Sequence, residues 1–543
     1  MTSPAPTEQR DGFGLSHRQI QLVFVGLMLG MFLSALDQTI VSTALPTIVA
    51  DLGGYDHLSW VVTAYLLTST ASTPLYGKIS DLYGRRIVFQ AAIVIFLAGS
   101  VLSGISQNIG ELIAFRGVQG LGAGGLMTLA FTIISDVVSP RERGRYQGYF
   151  GSVFAVSSVA GPLIGGAFTD HLSWRWVFYI NLPIGILALV VTSAVLRLPF
   201  ERRDHAVDYI GAALMVSGVS SLLLVTVWGG TQYPWNSDVI IGLAVAGVAL
   251  VAAFLWWEHQ RATEPILPLR LFRLPVFGVT NALAFVVGLG MFGAIVYLPL
   301  YWQLARGASA TESGLLMIPM MAGVLTASIG SGRTITKIGR YRIFPIVGSV
   351  VMATGMYLFT HLNLDTSKVL AGLFMLILGL GVGMIMPVLT LAVQNAVPAR
   401  DIGAATGAVN FFRSMGGSFG TALFGAILSA RLDYWLPRLL PGGAHITPGA
   451  GLSISPQKLH TLPVPIQHGV TEAFVRSLHV VFWAGVPAAV IAFALALCVK
   501  DLELRNAPGM AGTPSGDAAV GAPGGASVAA AFAEVPESAS QAS

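Results

Sequence analysis

GLGAGGLM, residues 120–127, recurs as GLGVGMIM at residues 379–386. Glycine-rich helices of low complexity can produce one such echo by chance. Two further echoes keep the same order and nearly the same spacing, however, so one half of the chain is related to the other. They pair GKISDLYGRR (77–86) with GRTITKIGRY (332–341), and PRERGRYQG (140–148) with PARDIGAATG (398–407).

The composition around these echoes is that of a polytopic membrane protein. Of 543 residues, 54% are hydrophobic and only 10% are charged, whereas an average soluble domain is about 25% charged. A helix needs about 20 mostly apolar residues to cross the hydrocarbon core. Windows of that size predict fourteen spans, at 20–46, 58–78, 87–106, 110–135, 146–169, 175–196, 208–229, 238–257, 275–302, 313–333, 343–361, 368–393, 403–430 and 473–499.

The spans divide into two sets of six around an inserted pair, 208–229 and 238–257. Parallel six-span repeats with a substrate path between them are typical of transporters. We therefore expect an all-α membrane protein built from two six-helix bundles and two inserted helices. The predicted regions are a cytoplasmic N-terminus (1–19), the first bundle (20–196), a linker with the inserted helices (197–272), the second bundle with an outer loop at 431–472 (273–505), and a disordered cytoplasmic tail (506–543).

Basic residues orient the spans. Cytoplasmic loops are enriched in Lys and Arg, and an even number of spans places both termini on that side of the cell membrane. The loops predicted to be cytoplasmic carry Lys78, Arg85, Arg86, Arg141, Arg143, Arg145, Arg202, Arg203, Arg333, Lys337, Arg340 and Arg342.

Four motifs carry a family resemblance. They are LDQTIVSTALP (36–46), GKISDLYGRR (77–86), RGVQGLGAGG (116–125) and GPLIGG (161–166). With the span count, they resemble the major facilitator superfamily, and within it the fourteen-span drug:proton antiporter-2 family of multidrug efflux type. The resemblance implies the major facilitator fold and export of small amphipathic compounds in exchange for protons. It implies no cofactor, with protons as the coupling ion.

Asp37 and Arg116 are the charged residues deepest in the first half. An acid at bilayer depth costs about 2.5–3.5 kcal/mol on insertion scales, so such residues usually serve an ion or substrate pathway. At 1.5 Å per residue, Asp37 lies roughly 15 Å and Arg116 roughly 10 Å from the outer surface. We predict that they form the proton-coupling pair, directly or through water. The alternatives are a permanently paired structural carboxylate and an arginine that binds only helix-end carbonyls.

A conformational switch is predicted at the loop between the second and third spans and at a kink in the fifth span. Asp81 could bond the start of the third span or Arg143, and the second copy of the loop has Thr336 in its place, which puts the loop's function in the first half. The alternatives are a purely basic cytoplasmic loop and a packing kink. The predicted residues are Gly77, Asp81, Gly84, Arg85, Arg86, Gly161 and Pro162.

Asp37, Arg413 and Glu312 are the candidates for a substrate cavity. Arg413, in NFFRSMGG, is the only charge deep in the second half. It could attract an anionic group of the substrate or pair with an acid, or it could have a structural role with its side chain reaching toward the interface. Glu312 stands at the outer start of the tenth span, where an interfacial position is the simpler interpretation.

The sequence does not indicate an enzyme. Gly120-x-Gly122-x-x-Gly125 and Gly416-x-Ser418-x-Gly420 imitate a dinucleotide fingerprint and a nucleophile elbow, but both lie inside predicted spans without a preceding strand. We predict no catalytic or metal site, membrane lipid and small amphipathic substrates as partners, no nucleic acid, and a monomer. A dedicated exporter of one metabolite, antibiotic or lipid is the nearer alternative, and a non-transporting receptor or scaffold is the more distant one.

Overall fold

The described part of the chain is almost entirely helical. The computed structural model describes residues 17–52, 58–196, 208–230, 232–262, 264–440 and 463–504. Within these ranges, extended pairing is limited to one isolated bridge between Gly229 and Tyr233. The predicted all-α membrane fold is confirmed, because eleven helices are long and apolar enough to cross a membrane.

Sixteen α-helices of the described residues account for the fourteen predicted spans. In the first half they are α1 His17–Leu52, α2 Leu58–Tyr83, α3 Arg85–Ile105, α4 Ile109–Val137, α5 Pro140–His171, α6 Trp176–Tyr179 and α7 Asn181–Val195. The inserted helices are α8 Tyr209–Trp228 and α9 Asp238–Gln260. In the second half they are α10 Pro275–Leu300, α11 Ala310–Leu316, α12 Ile318–Ile338, α13 Ile343–Phe359, α14 Lys368–Ala396, α15 Ile402–Leu439 and α16 Val464–Cys498.

The helices are consistent with fourteen spans. Ile343–Phe359 is apolar but shorter than the eleven long candidates. The helices α2 and α15 are not among the eleven, and both contain polar or small-residue stretches, STAST at 69–73 and SMGGS at 414–418. Two spans consist of two helices each, which meet at Ile180 and at Met317. A proline follows each break, Pro183 and Pro319, and proline cannot supply the backbone donor that continues a helix.

Several helices are longer than the predicted spans. The helix α15 continues to Leu439 and α16 begins at Val464, so the predicted outer loop at 431–472 is shorter than expected. Hydropathy detects only the part of a helix that lies in hydrocarbon, while helical hydrogen bonding continues beyond it. Residues 441–462 of that loop, and the predictions for residues 1–16 and 505–543, lie outside the described residues.

The two halves meet along α2 and α15 and along α5 and α12. We call the end that carries segments 77–86, 140–145 and 332–342 the basic end. There the helices approach to backbone contact, since a Cβ atom on Gly77 would lie 2.5 Å from the carbonyl oxygen of Gly403. A Cβ atom on Gly332 would likewise overlap the carbonyl oxygen of Gly144. The structure is therefore closed between the halves at the basic end.

The inserted helices pack beside this contact. The helix α8 packs on α9 and also touches α2 and α15, one helix from each half. The segment after α9 forms an ion pair with each half as well. Lys78 Nζ lies 2.6 Å from Glu264 Oε2, and Arg270 Nη2 lies 2.7 Å from Asp401 Oδ1. The inserted region therefore contacts both halves at once.

Candidate functional site

Asp37 on α1 and Arg116 on α4 form a direct ion pair inside the first half. Arg116 Nη1 donates to Asp37 Oδ2 over 2.5 Å. The side chains are 0% and 1% exposed, respectively. The pair that the depth estimate allowed is present without an intervening water. Neither charge can be screened by solvent in this conformation.

Two amide side chains complete the surroundings of the carboxylate. Gln119 Nε2 donates to Asp37 Oδ1 over 2.8 Å, and Asn181 Nδ2 donates to the same oxygen over 3.2 Å. Both amides also reach Ser100 Oγ, at 3.2 and 2.9 Å. Ser100 Oγ in turn donates to the carbonyl oxygen of Phe178 over 2.8 Å. Helices α1, α3, α4 and α7 thus contribute side chains to one buried polar cluster.

Sequence reasoning missed these amides, although signals for both exist. Gln119 follows Arg116 by three residues, so the two share a helix face. Asn181 is a polar residue in an apolar span and stands at the break before Pro183. Single polar residues are common in membrane helices and often bond the local backbone. Only the approach of four helices shows that these two face Asp37.

Arg116 is satisfied by several partners. Its Nη1 also donates to Gln119 Oε1 over 2.8 Å, and its Nε donates to the carbonyl oxygen of Val61 over 3.3 Å. The guanidinium carbon lies 4.2 Å from the centre of the Tyr65 ring, which gives a cation–π contact. Pairing with the acid and bonding to a backbone carbonyl therefore occur together. Neutralising Asp37 would leave a buried arginine without its counter-charge, which is strongly unfavourable.

The segment 77–86, which covers the end of α2 and the start of α3, contacts the second half. Arg85 pairs with Asp81 and, over 2.9 Å, with Asp136 at the end of α4. Asp81 Oδ2 accepts a hydrogen bond of 3.2 Å from the backbone nitrogen of Ala404. Ala404 lies in the first turn of α15, where the helix dipole favours a negative charge. An acid of the first half thus caps a helix of the second half.

The remaining loop residues shape this contact. Gly84 has φ of +92°, a backbone conformation that favours glycine, and it separates α2 from α3. Arg86 donates to the carbonyl oxygen of Ser193 over 2.8 Å. Two partners were expected for Asp81, the start of the third span and Arg143. The structure shows the first, because Asp81 pairs with Arg85, the first residue of α3. Arg143 donates to the carbonyl oxygen of Ser135 over 2.6 Å.

The second copy of the loop also reaches across the halves. Arg141 of α5 donates to the carbonyl oxygens of Thr336 and Lys337, over 2.9 and 3.0 Å. Arg333 donates to the Tyr149 hydroxyl over 3.1 Å. The sequence placed the loop's function in the first half alone, because Thr336 replaces the acid. The structure differs, since backbone carbonyls serve as acceptors here and need no acidic side chain.

Gly161 and Pro162 lie in a continuous helix α5. Gly161 packs so closely on α1 that a Cβ atom there would overlap Thr39, whose hydroxyl donates to the carbonyl oxygen of Ser157 over 2.9 Å. The Pro162 ring faces the other half, with its Cγ 3.1 Å from the position of a Cβ atom on Gly314. The two residues thus sit between α1 of their own half and α11 of the second half. Packing and gating both remain compatible with this position.

Within the part of the chain that the structure describes, no hydrogen bond or ion pair joins the three predicted cavity residues to one another. Asp37 is enclosed in the first half. Glu312 pairs with Lys368 over 2.7 Å, and both side chains are about half exposed at 46% and 57%. Arg413 is half-buried on α15, and no ion pair or hydrogen bond joins its side chain to any residue the structure describes. The substrate cavity itself stays a prediction.

The fold defines a class of protein. Two related six-helix halves that meet around a central contact, with polar groups buried at membrane depth, are the architecture of a membrane transporter. The sequence pattern of the Major Facilitator Superfamily matches residues 27–421, and the chain belongs to this superfamily. It is therefore a transporter rather than an enzyme.

Similar proteins agree with this assignment. The chain is 42% identical over 503 residues to an uncharacterised MFS-type transporter of Mycobacterium tuberculosis, covering 92% of this chain and 73% of that one. It is 40% identical over 511 residues to the multidrug transporter protein MdtP of Bacillus subtilis, covering 89% and 94%. Among solved structures, the human organic anion transporter MFSD10 superposes with a TM-score of 0.60 at 15% identity, covering 88% of this chain and 99% of that one. That likeness concerns the fold alone.

Proposed function

We propose that this transporter exports small amphipathic compounds across the cell membrane in exchange for protons, with both termini in the cytoplasm. The observation that carries the proposal is the buried Asp37–Arg116 pair with its two amide donors. Intramembrane acids of this kind mark proton and substrate pathways. The multidrug transporter and efflux pump names of similar proteins support the substrate class and the direction.

The proton step is proposed at Asp37. As a carboxylate it accepts hydrogen bonds from Arg116, Gln119 and Asn181 in this conformation. Proton uptake would remove the counter-charge of Arg116 and favour a conformation in which the two separate. Protonation and conformation are thereby linked, since each changes the free energy of the other. Protons are the only coupling ion in this scheme, and no cofactor takes part.

The conformational switch is proposed at the basic end. Opening this end must break the Asp81 bond to Ala404 and the Arg141 bonds to the second loop. Loop 77–86 would then set the stability of the closed state, and Gly161–Pro162 would let α5 move against α1 and α11. A monomer in membrane lipid suffices for this cycle.

A second candidate is a dedicated exporter of one metabolite, antibiotic or lipid with the same coupling. Arg413 favours it, because no ion pair or hydrogen bond of its side chain occurs among the described residues and a fixed cation restricts the charge of the substrate. Both candidates share the proton step and differ only in the range of compounds carried.

Proteoliposomes with an imposed pH gradient test the proton step. The probes are anthracene compounds with anionic, neutral and cationic head groups. Any of them that the wild-type protein transports then serves as the substrate. We expect wild type to move protons when that compound is added, and Asp37→Asn to lose this movement. Substrate-dependent proton movement by Asp37→Asn would overturn the proposal.

Asp51→Asn is the matched control, because Asp51 lies on the same helix but is 53% exposed. A hydrogen bond from the Trp174 indole lowers the pKa of Asp51 below its usual value, so it stays ionised at neutral pH. We expect Asp51→Asn to keep substrate-dependent proton movement.

A further inference from the structure

We propose that Arg413 binds the anionic group of the substrate, so that the preferred substrates are amphipathic monoanions bearing a carboxylate or sulfonate. The inference rests on the proposed export function and adds the charge of the compound carried.

Arg413 lies deep in the membrane. It stands 11 residues after the start of α15 at Ile402, which corresponds to roughly 16 Å along the helix. The hydrocarbon core is about 30 Å thick, so the guanidinium is close to the middle of the bundle. A side chain at this depth cannot easily reach either interface.

The charge of Arg413 is uncompensated. A guanidinium offers five N–H donors, yet no ion pair or hydrogen bond of this side chain occurs within the described residues. An arginine at the bilayer centre is costly and normally pairs or faces a water-filled cavity. Arg413 is partly buried, so part of its side chain remains accessible. An anionic group of the substrate would supply the counter-charge that the described residues do not provide.

Arg413 is adjacent to the contact between the halves. Asn410, three residues earlier on α15, donates to Thr128 Oγ1 on α4 of the first half over 3.4 Å. Three residues correspond to about 4.5 Å along the helix. Arg413 thus follows the interhalf contact by less than one turn, on the side away from the basic end. In transporters of this architecture the substrate site lies at the interface between the repeats.

Aromatic rings accompany the cation. Phe411 and Phe412 precede it, with ring centres 5.5 Å apart. One turn later, a Cβ atom on Gly417 would lie 2.6 Å from the Phe292 ring of α10. A planar fork of donors next to aromatic surface suits a compound with an aromatic body and one carboxylate or sulfonate, because arginine binds such groups through two parallel hydrogen bonds.

The buried acids Asp37 and Asp81 already have arginine partners of their own. Asp37 is fully enclosed and already paired with Arg116. Asp81 is paired with Arg85 at the basic end. A cationic compound next to Arg413 would be repelled, while an anion would meet an unused donor set. The site therefore selects by the sign of the charge.

Equilibrium binding to the purified full-length chain in lipid nanodiscs tests the proposal. The probes share one ring system and differ in the head group: anthracene-9-carboxylate, 9-anthracenemethanol and the trimethylammonium derivative of the same ring. We expect wild type to bind the carboxylate at least tenfold more tightly than the other two. Arg413→Gln should lose that preference, with binding of the neutral compound unchanged within about twofold.

Arg413→Lys separates charge from folding. Lysine keeps the positive charge but not the planar fork, so we expect it to retain part of the preference for the carboxylate. A thermal unfolding scan of each variant reports on folding. A wild type without preference for the carboxylate, or an Arg413→Gln variant that keeps it, would overturn the proposal. Because binding requires no pH gradient, this result is independent of whether Asp37 couples transport to protons.

Discussion

Two arginines buried in the two halves have opposite surroundings. Arg116 is 1% exposed and meets Asp37, Gln119 and a backbone carbonyl. Arg413 is half-buried and meets none of these groups among the described residues. The first half therefore holds a buried ion pair whose two charges satisfy each other, which is where we propose the proton step. The second half leaves a cation whose partner must arrive from elsewhere. The contrast suggests that coupling ion and substrate are handled in separate halves.

The largest effect is expected when only one member of the Asp37–Arg116 pair is replaced. Arg116→Gln leaves the Asp37 carboxylate buried without its counter-charge, which costs about 3–5 kcal/mol. We expect a large drop in thermal stability in nanodiscs and no coupled transport. The double variant Asp37→Asn with Arg116→Gln should recover much of the stability but not the coupling. Equal instability of single and double variants would show that the ion pair is not the cause.

Next in size is a change at the closed basic end. Gly332→Val places a branched side chain against the backbone of Gly144, so we expect the closed state to lose population. Gly330→Ala is the matched control, because no atom lies within 4 Å of the added Cβ. The readout is the thiol-labelling rate of Ala404→Cys, a position 3% exposed, in a Cys498→Ser background. Labelling should be faster with Gly332→Val than with Gly330→Ala, and equal rates would contradict the proposed switch.

A smaller effect is expected at the amide side chains that donate to Asp37. Asn181→Ala removes one of the three donors to Asp37, and an unsatisfied buried polar group costs about 1–3 kcal/mol. We expect coupled transport to fall roughly tenfold or more, while binding of the anthracene probes stays the same. A loss of binding equal to the loss of transport would assign Asn181 to the substrate site instead.

The smallest effect is expected at Glu312. Its pair with Lys368 is about half exposed, and such pairs contribute about 0.2–1 kcal/mol. Glu312→Gln should therefore leave stability, probe binding and transport nearly unchanged. A severe transport defect in proteoliposomes would return Glu312 to the substrate path.

The sequence predicted the fold and the Asp37–Arg116 pair, but not the two amides that donate to Asp37, for identifiable reasons. Apolar windows and repeated motifs define helices and their order, and depth along two helices brought Asp37 and Arg116 to the same level. Depth does not tell which way a side chain points. Asn181 and Gln119 were therefore missed, and so was the pairing of Glu312 with Lys368.

The sequence also could not predict the contacts that backbone groups make. The bonds from Arg141 to the carbonyl oxygens of Thr336 and Lys337 need no particular acceptor side chain, so no motif announces them. The ion pairs that join the inserted region to both halves depend on where the linker runs. Neither the apolar pattern nor the motif spacing contains that path.

The most direct test of the account compares two modes of transport in one variant. In Asp37→Asn proteoliposomes, exchange of labelled for unlabelled anthracene probe should persist, because substrate-for-substrate exchange involves no net movement of protons. Uptake driven by a pH gradient should be absent, because Asp37 is the proton carrier. Persistence of gradient-driven uptake in Asp37→Asn, at the wild-type rate, would contradict the account.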